Sequence, residues 1–208
     1  DAEILDRSTH IIVEQVAALK EMVNAFSDYA RSPDMEIVTI NIAILLREII
    51  DLYQEQESKI NITFDIDSDD LKFDADPGRI RQIIHNLVRN SIEAIPEDIA
   101  GTISVNVKQC DINNIKMIEI CIEDNGSGFD KNSLGQIFDP YVTSKSKGTG
   151  LGLAIVKKLV EEHMGFIEAE NAKKQGAVIK IFMPENEKMR EKMISSFKHK
   201  KDNGVHSL

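Results

Sequence analysis

Apolar residues recur along the first 32 positions with a helical period. Leu5, Ile12, Val16, Leu19, Val23, Phe26 and Ala30 are spaced 7, 4, 3, 4, 3 and 4 residues apart, which keeps them on one seam of a helix. Glu14, Gln15, Lys20, Glu21, Asn24 and Asp28 fill its other faces. The pattern breaks at Ser32-Pro33, because the residue before a proline is pushed out of helical geometry. One amphipathic helix cannot bury its seam alone, so it predicts a partner helix from this chain or from a second copy.

Beyond Pro33 short helices and strands alternate. A strand is expected near 36–40, a helix over 42–57 and a strand over 60–66. A second short strand, 71–73, leads to Asp76-Pro77, an N-cap with proline at the first helical position. The helix it opens runs to about Ile95 and stops at Pro96. Two strands follow at 102–109 and 116–123, joined through 111–114 as a hairpin. Residues 131–149 lack a period and predict a long loop with one helical turn near 133–137. A helix at 151–163 and strands at 166–170 and 177–182 complete the regular part, which Pro184 closes. The remainder, 185–208, is expected to be a polar, flexible tail that could form a frayed helix before its polar end. Hairpin strands with interspersed helices predict an α+β fold over 33–184: a two-layer sandwich, with a mixed sheet and helices on one face, preceded by the 1–32 helix.

Composition narrows the function classes. With 35 acidic and 25 basic side chains the 208 residues carry a formal charge of −10, which argues against a general nucleic-acid binder. A hydrophobic fraction of 42% is ample for a packed core. No apolar run approaches the roughly 18 residues of a membrane span. Cys110 and Cys121 are too few for a disulfide framework or a four-ligand zinc site. The chain opens on Asp1 with no signal-like stretch behind it, and is expected to be a piece of something longer.

Three clusters bear chemistry. Asn86 and Asn90 lie one turn apart on one helix face. Helix interiors disfavour asparagine, so the pair is either two solvent-facing amides or a pair of oxygen ligands of the neutral kind that suits Mg²⁺. Glu123-Asp124-Asn125-Gly126-Ser127-Gly128-Phe129 follows a strand; it is either a turn or a site where a flat ligand meets backbone while a carboxylate accepts from an exocyclic amine. Gly148-Thr149-Gly150-Leu151-Gly152-Leu153 runs into a helix, where free backbone N–H groups and the helix dipole favour phosphate. No Gly-Lys-Ser/Thr follows, so it is not a Walker loop.

Taken in this order, the clusters resemble the ATP-binding domain of bacterial sensor histidine kinases, within the superfamily of DNA gyrase B, mismatch-repair and heat-shock chaperone ATPases. The Asn86–Asn90 helix is similar to the N box and 124–128 to the first glycine box. Phe138-Asp139-Pro140-Tyr141 resembles the F box, and 148–153 the second glycine box. The run from Asp76 to Ile84 is similar to the usual lead-in to the N box, and the 1–32 helix resembles the second dimerisation helix of nitrogen-regulation sensors.

The resemblance implies ATP and Mg²⁺ as cofactors, with Asn90 as the metal ligand and Asn86 and His85 close to the phosphates. It implies Asp124 on the adenine amine, with Gly126 and Gly128 shaping that pocket. Residues 131–149 would form an ATP lid between Gly135 and Gly148, placing Thr143, Ser144 and Lys145 near the phosphates. Thr149, Gly150, Leu151, Gly152 and Leu153 would wrap the phosphates and line the pocket. Ala177 stands where the family often has a hydroxyl residue. The family implies a protein-histidine kinase that passes the γ-phosphoryl of ATP to a histidine and then to a response regulator. It also implies a homodimer and a cytoplasmic location, in a parent anchored to the inner membrane.

None of the five histidines (His10, His85, His163, His199 and His206) has an acidic residue after it and a proline five positions on, as the family's phosphoacceptor has. No catalytic histidine is therefore assigned, with His85 the remaining possibility, and the acceptor is expected on a helix outside this sequence. His163, near a helix end, is expected to act as a dipole-friendly cap. Two rival readings stand beside the kinase. An ATPase of the same superfamily would place a glutamate one turn before the metal-binding asparagine; that position is Asn86, which cannot take a proton. A nucleotide-binding interaction module would bind ATP without phosphorylating a supplied histidine.

Overall fold

A computed structural model describes residues 34–56, 59–143, 145 and 148–202, together with Thr9, Ile12, Val13, Val16, Leu19, Lys20 and Val23. Those seven early residues are helical, and the seam members Ile12, Val16, Leu19 and Val23 are exposed. The other seam positions, Leu5, Phe26 and Ala30, and also His10, lie outside the described residues.

The elements follow local rules in the sequence. Strand β1 (Val38–Asn41) hands directly to helix α1 (Ile42–Gln56), because the Asn41 side chain accepts from the Ala43 and Ile44 N–H groups at 2.9 and 3.2 Å. Strands β2 (Ile60–Ile66) and β3 (Lys72–Ala75) come next. Helix α2 (Pro77–Ala94) starts with Asp76 Oδ1 accepting from Gly78 and Arg79 at 2.9 and 3.1 Å, as the Asp-Pro pair predicts. Strands β4 (Gly101–Ile112) and β5 (Ile115–Asp124) are longer than expected. Their connection is only Asn113-Asn114, both at positive φ, the geometry that matches the twist of a two-residue hairpin. A 3₁₀ turn (Leu134–Gln136), helix α3 (Gly152–Glu162), strands β6 (Phe166–Asn171) and β7 (Ala177–Pro184), and helix α4 (Glu187–Asp202) complete the order.

The strands form a five-stranded mixed sheet in the order β2-β4-β5-β7-β6, plus a separate antiparallel ribbon of β1 and β3. Only β2 and β4 run parallel within the large sheet. Ile103, Val105 and Val107 of β4, Ile118, Ile120 and Ile122 of β5, and Ile179 and Ile181 of β7 point to one face. There they meet Leu46 and Ile50 of α1, Ile83, Ile84 and Leu87 of α2, and Val156 and Val160 of α3. This is the α+β sandwich that hairpin strands with interspersed helices predict.

The last helix departs from expectation in two ways. Where a flexible tail, at most a frayed helix, is expected, Glu187–Asp202 is helical. It also lies on the opposite face of the sheet, so not all helices share one face. Residues of opposite parity on β5 and β7 — Ile115, Met117 and Phe182 — form a second apolar cluster there, and Met189 and Met193 of α4 close it. Phe166 stacks on Phe182 beneath them, with ring centroids 4.6 Å apart. The physical reason is burial: two methionines four residues apart dock onto a patch that only the folded sheet assembles.

Candidate functional site

Asp124, at the end of β5, is buried, and its Oδ1 accepts from the backbone N–H of Gly126 (2.9 Å) and of Ala177 (3.2 Å). These two bonds fix the carboxylate and leave Oδ2 to accept from a ligand. Ala177 thus contributes through its backbone, which a side-chain comparison does not reveal. The loop after Asp124 then crosses the end of α2. Ser127 N–H donates to the Ala94 carbonyl at 2.9 Å, and a Cβ on Gly126 would lie 2.6 Å from that carbonyl oxygen. Only a glycine permits so close a passage.

Two asparagines hold this loop. Asn125 accepts from Thr102 N–H (2.8 Å) and donates to the Ala100 carbonyl (2.9 Å). Asn171, at the end of β6, accepts from Phe129 N–H (2.6 Å) and donates to the Phe129 carbonyl (2.9 Å), beside Gly128. Neither role is visible in the chain alone. Asn171 lies 42 residues from the backbone it clamps, and no local signal marks it.

The second cluster lies at the start of α3. Leu151 is its N-cap residue and is buried, with no side-chain cap on the helix, so the first N–H groups of α3 are open to a ligand. This end of α3 faces Asn86 and Asn90. A Cβ on Gly152 would lie 3.4 Å from Asn86 Oδ1 and 3.5 Å from Asn90 Nδ2. Asn86 Nδ2 donates to the Gln82 carbonyl at 2.8 Å, which turns Oδ1 toward that gap. The fold therefore brings the first and third sequence clusters face to face. Gly150 shapes the approach: its φ is +67°, and a Cβ there would lie 2.6 Å from the Tyr141 backbone, against which Gly150 accepts from Tyr141 N–H at 3.0 Å.

The loop over 131–149 holds the 3₁₀ turn near the position expected, with Ile137 buried beneath it. Thr143 Oγ1 accepts from Lys145 N–H at 3.1 Å, and Thr149 Oγ1 from Leu151 N–H at 3.4 Å. Leu153 packs against the main core. Ser144 lies outside the described residues. Lys145 meets Glu93 of α2, Nζ to Oε2 at 2.7 Å. Glu93, absent from the sequence reading, is also bonded by Arg89 at 2.8 Å. Burial pushes the Glu93 carboxyl up, but the bonds from Lys145 and Arg89 outweigh it and hold the group below its ordinary range.

His85 lies on the same stripe of α2 as Arg89 and Glu93, adjacent to the Asn86–Asn90 stripe. Its Nδ1 is 3.1 Å from the Tyr53 hydroxyl of α1. Burial, aided by Arg81, pulls its pKa below the usual histidine value. His163 is buried and, again chiefly through burial, is held below the usual value. It occupies the C-cap of α3 but is not a cationic cap. The Nδ1–H donates to the Leu159 carbonyl at 2.7 Å and Nε2 accepts from Asp76 N–H at 3.1 Å, which requires the neutral ring.

Asn86 and Asn90 offer neutral carboxamide oxygens beside the start of α3, the donor type that could hold Mg²⁺. Mg²⁺ keeps most of its waters and leans on substrate phosphates, so one carboxamide oxygen can suffice on the protein side. No group of three His, Cys, Asp or Glu that could hold a metal occurs among the described residues.

A mixed sheet backed on one face by three helices, with a helix N-terminus that faces two asparagines and a buried carboxylate at the end of a central strand, defines a sandwich domain of nucleotide-binding type. The chain belongs to the histidine kinase-, DNA gyrase B-, and HSP90-like ATPase family, whose model matches residues 75–187. A putative sensor histidine kinase, NtrY-like, from Rickettsia prowazekii (strain Madrid E) is 33% identical over 171 residues. That match takes in 82% of this chain, and the chain spans only 28% of the relative's length. The nucleotide-free catalytic domain of histidine kinase ThkA is 33% identical with a TM-score of 0.66, covering 74% of this chain and 99% of that one. Histidine kinase ThkA in complex with response regulator protein TrrA is 30% identical with a TM-score of 0.71, covering 89% and 52%. Among the described residues no helix is long and apolar enough to cross a membrane.

Proposed function

We propose that this chain is the ATP-binding catalytic part of a two-component sensor histidine kinase, binding Mg-ATP and donating its γ-phosphoryl to a histidine on a helix outside this sequence. The observation that carries the reading is the N-terminus of α3 set against Asn86 and Asn90, beside a buried Asp124 carboxylate that two backbone N–H groups fix at the end of β5. Asp124 Oδ2 accepts from the adenine amine, and the 126–128 backbone lies along the base. The N–H groups from Gly152 onward hold phosphate oxygens, assisted by the helix dipole. Asn90 would supply the protein oxygen for Mg²⁺, and Asn86 Oδ1 would accept from a metal-bound water. Thr143, Ser144, Lys145 and Thr149 close over the triphosphate.

Phosphoryl transfer is mostly positioning and charge neutralisation. Bound Mg²⁺ supplies charge neutralisation at the phosphates; Lys145 and the α3 amides add theirs, while Asp124 sets the register of the nucleotide. Asn86 offers no base for water, which favours transfer to a supplied acceptor over hydrolysis. The ThkA–TrrA complex supports a response regulator as the next acceptor. The helical, exposed Ile12, Val16, Leu19 and Val23 support a homodimer built on that seam. The likeness to sensor kinases supports a parent anchored at the inner membrane, with this part in the cytoplasm.

Incubation with γ-labelled ATP tests the proposal. The chain alone binds ATP and stays unlabelled. Acid-labile label appears when a protein carrying the acceptor helix is added, and on that protein. Tight ATP binding with no transfer would leave the interaction-module reading. Label on the chain itself that vanishes in His10→Gln would overturn the placement of the acceptor.

A further inference from the structure

Two adjacent stripes of α2 serve different neighbours. Asn86 and Asn90 face Gly152; Arg89 and Glu93 face the 131–149 loop through Lys145. Glu93 lies three residues beyond Asn90, so the two side chains are neighbours on the helix surface. Both Glu93 oxygens are engaged, Oε2 by Lys145 Nζ at 2.7 Å and Oε1 by Arg89 Nε at 2.8 Å. The lysine is also fixed at its backbone: its N–H donates to Thr143 Oγ1 at 3.1 Å, and its carbonyl accepts from Gly148 N–H at 3.3 Å.

We infer that Glu93 is a positioning residue that holds Lys145 and competes with the ATP phosphates for it. The inference rests on the reading above, in which Lys145 meets the triphosphate. An ammonium has three donors but one position, and a carboxylate and a phosphate oxygen are rival acceptors for it. Because Glu93 and Asn90 are neighbours on one helix, Lys145 passes from one acceptor to the other by rotating its side chain. Arg89 stays with Glu93 after Lys145 leaves, so the carboxylate is never without a cation and the exchange is reversible. The pair is partly exposed, 35% at Lys145 and 38% at Glu93, which keeps the competition weak enough for nucleotide to win.

A double-mutant cycle reads this directly. Glu93→Gln is expected to tighten Mg-ATP binding by about three- to five-fold, the range for a partly exposed ion pair. The same change in a Lys145→Ala background is expected to do nothing. Hydrogen exchange across 143–149, measured without nucleotide, should quicken in Glu93→Gln and stay as it was once ATP is bound. Unchanged or weaker ATP affinity in Glu93→Gln overturns the inference. So does an equal gain in the Lys145→Ala background, which would mean simple removal of negative charge near the phosphates. Lys145→Ala alone separates the two levels: if it leaves ATP affinity intact, the phosphate reading of Lys145 fails and this inference with it. If it weakens binding while Glu93→Gln is neutral, only the competition fails.

Discussion

The backbone N–H of Asp76 donates to Nε2 of His163 across 3.1 Å, joining the N-cap of α2 to the C-cap of α3. These are the two helices that carry the carboxamides and the open N-terminus. Around the bond, Arg79 reaches both Asp76 and Glu162, and Arg190 of α4 donates to the Asp74 carbonyl. The ends of α2 and α3 remote from the phosphate gap are thus bolted together through polar groups, while the near ends are left open for ligand.

That bolt is sensitive to acid. Burial lowers the His163 pKa from 6.5, with Arg190 and Arg79 acting in the same direction and the Leu159 bond and Asp76 against it. Between the lowered folded value and 6.5 the unfolded chain binds more protons, so stability rises with pH across that window and is lost on acidification below about 6.5. His85 shifts the same way. Thermal melts from pH 7.5 to 5.5 should show a falling midpoint in the wild type and a shallower fall in His163→Gln, with His85 responsible for the remainder. Equal slopes would remove His163 from this role.

Asp124→Asn should weaken ATP binding by at least about 1.5 kcal/mol, the scale of a charge-assisted hydrogen bond. The amide also turns a donor group toward the Gly126 and Ala177 N–H groups or toward the adenine amine, and neither orientation satisfies both. Titration calorimetry reads the loss; unchanged affinity would move the base elsewhere.

Asn90→Ala acts through the ion. Its ATP affinity should fall more with Mg²⁺ present than with chelator, because the lost oxygen is a ligand of the metal. Equal losses under the two conditions would make Asn90 a phosphate contact only.

Met193→Asp tests the last helix. Met193 is buried against Met117 and Phe182, and placing a carboxylate there should cost about 2–4 kcal/mol of stability through lost burial and desolvation. Urea unfolding measures it. A change under about 0.5 kcal/mol, typical of a surface site, would mean that α4 does not hold the sheet.

Local chemistry made much of this protein readable before any coordinates. Asp76-Pro77 marked the start of α2, the apolar runs bounded by turn residues marked β4, β5 and β7, and the glycine-bearing segments marked where backbone would be exposed. These signals act within a few residues, through caps, steric limits and side-chain alternation. The order of the asparagine pair and the two glycine segments was legible for the same reason: each is a short motif whose backbone demands are local.

Relations across long sequence separations were a different matter. Asn171 on Phe129, Glu93 on Lys145, and His163 on Asp76 join residues 42, 52 and 87 positions apart, and no property of either partner announces the other. The tail shows the same limit from the apolar side. Met189 and Met193 are too few to predict a buried helix on their own. They become one only because β5 and β7 align Met117 and Phe182 on a face whose residues are distant in sequence. The sequence by itself determined the elements and the ligand-bearing motifs, since those depend on neighbouring residues. Tertiary structure alone decided which motifs face one another and which polar groups hold them, because hydrogen bonds and buried area depend on where the chain returns.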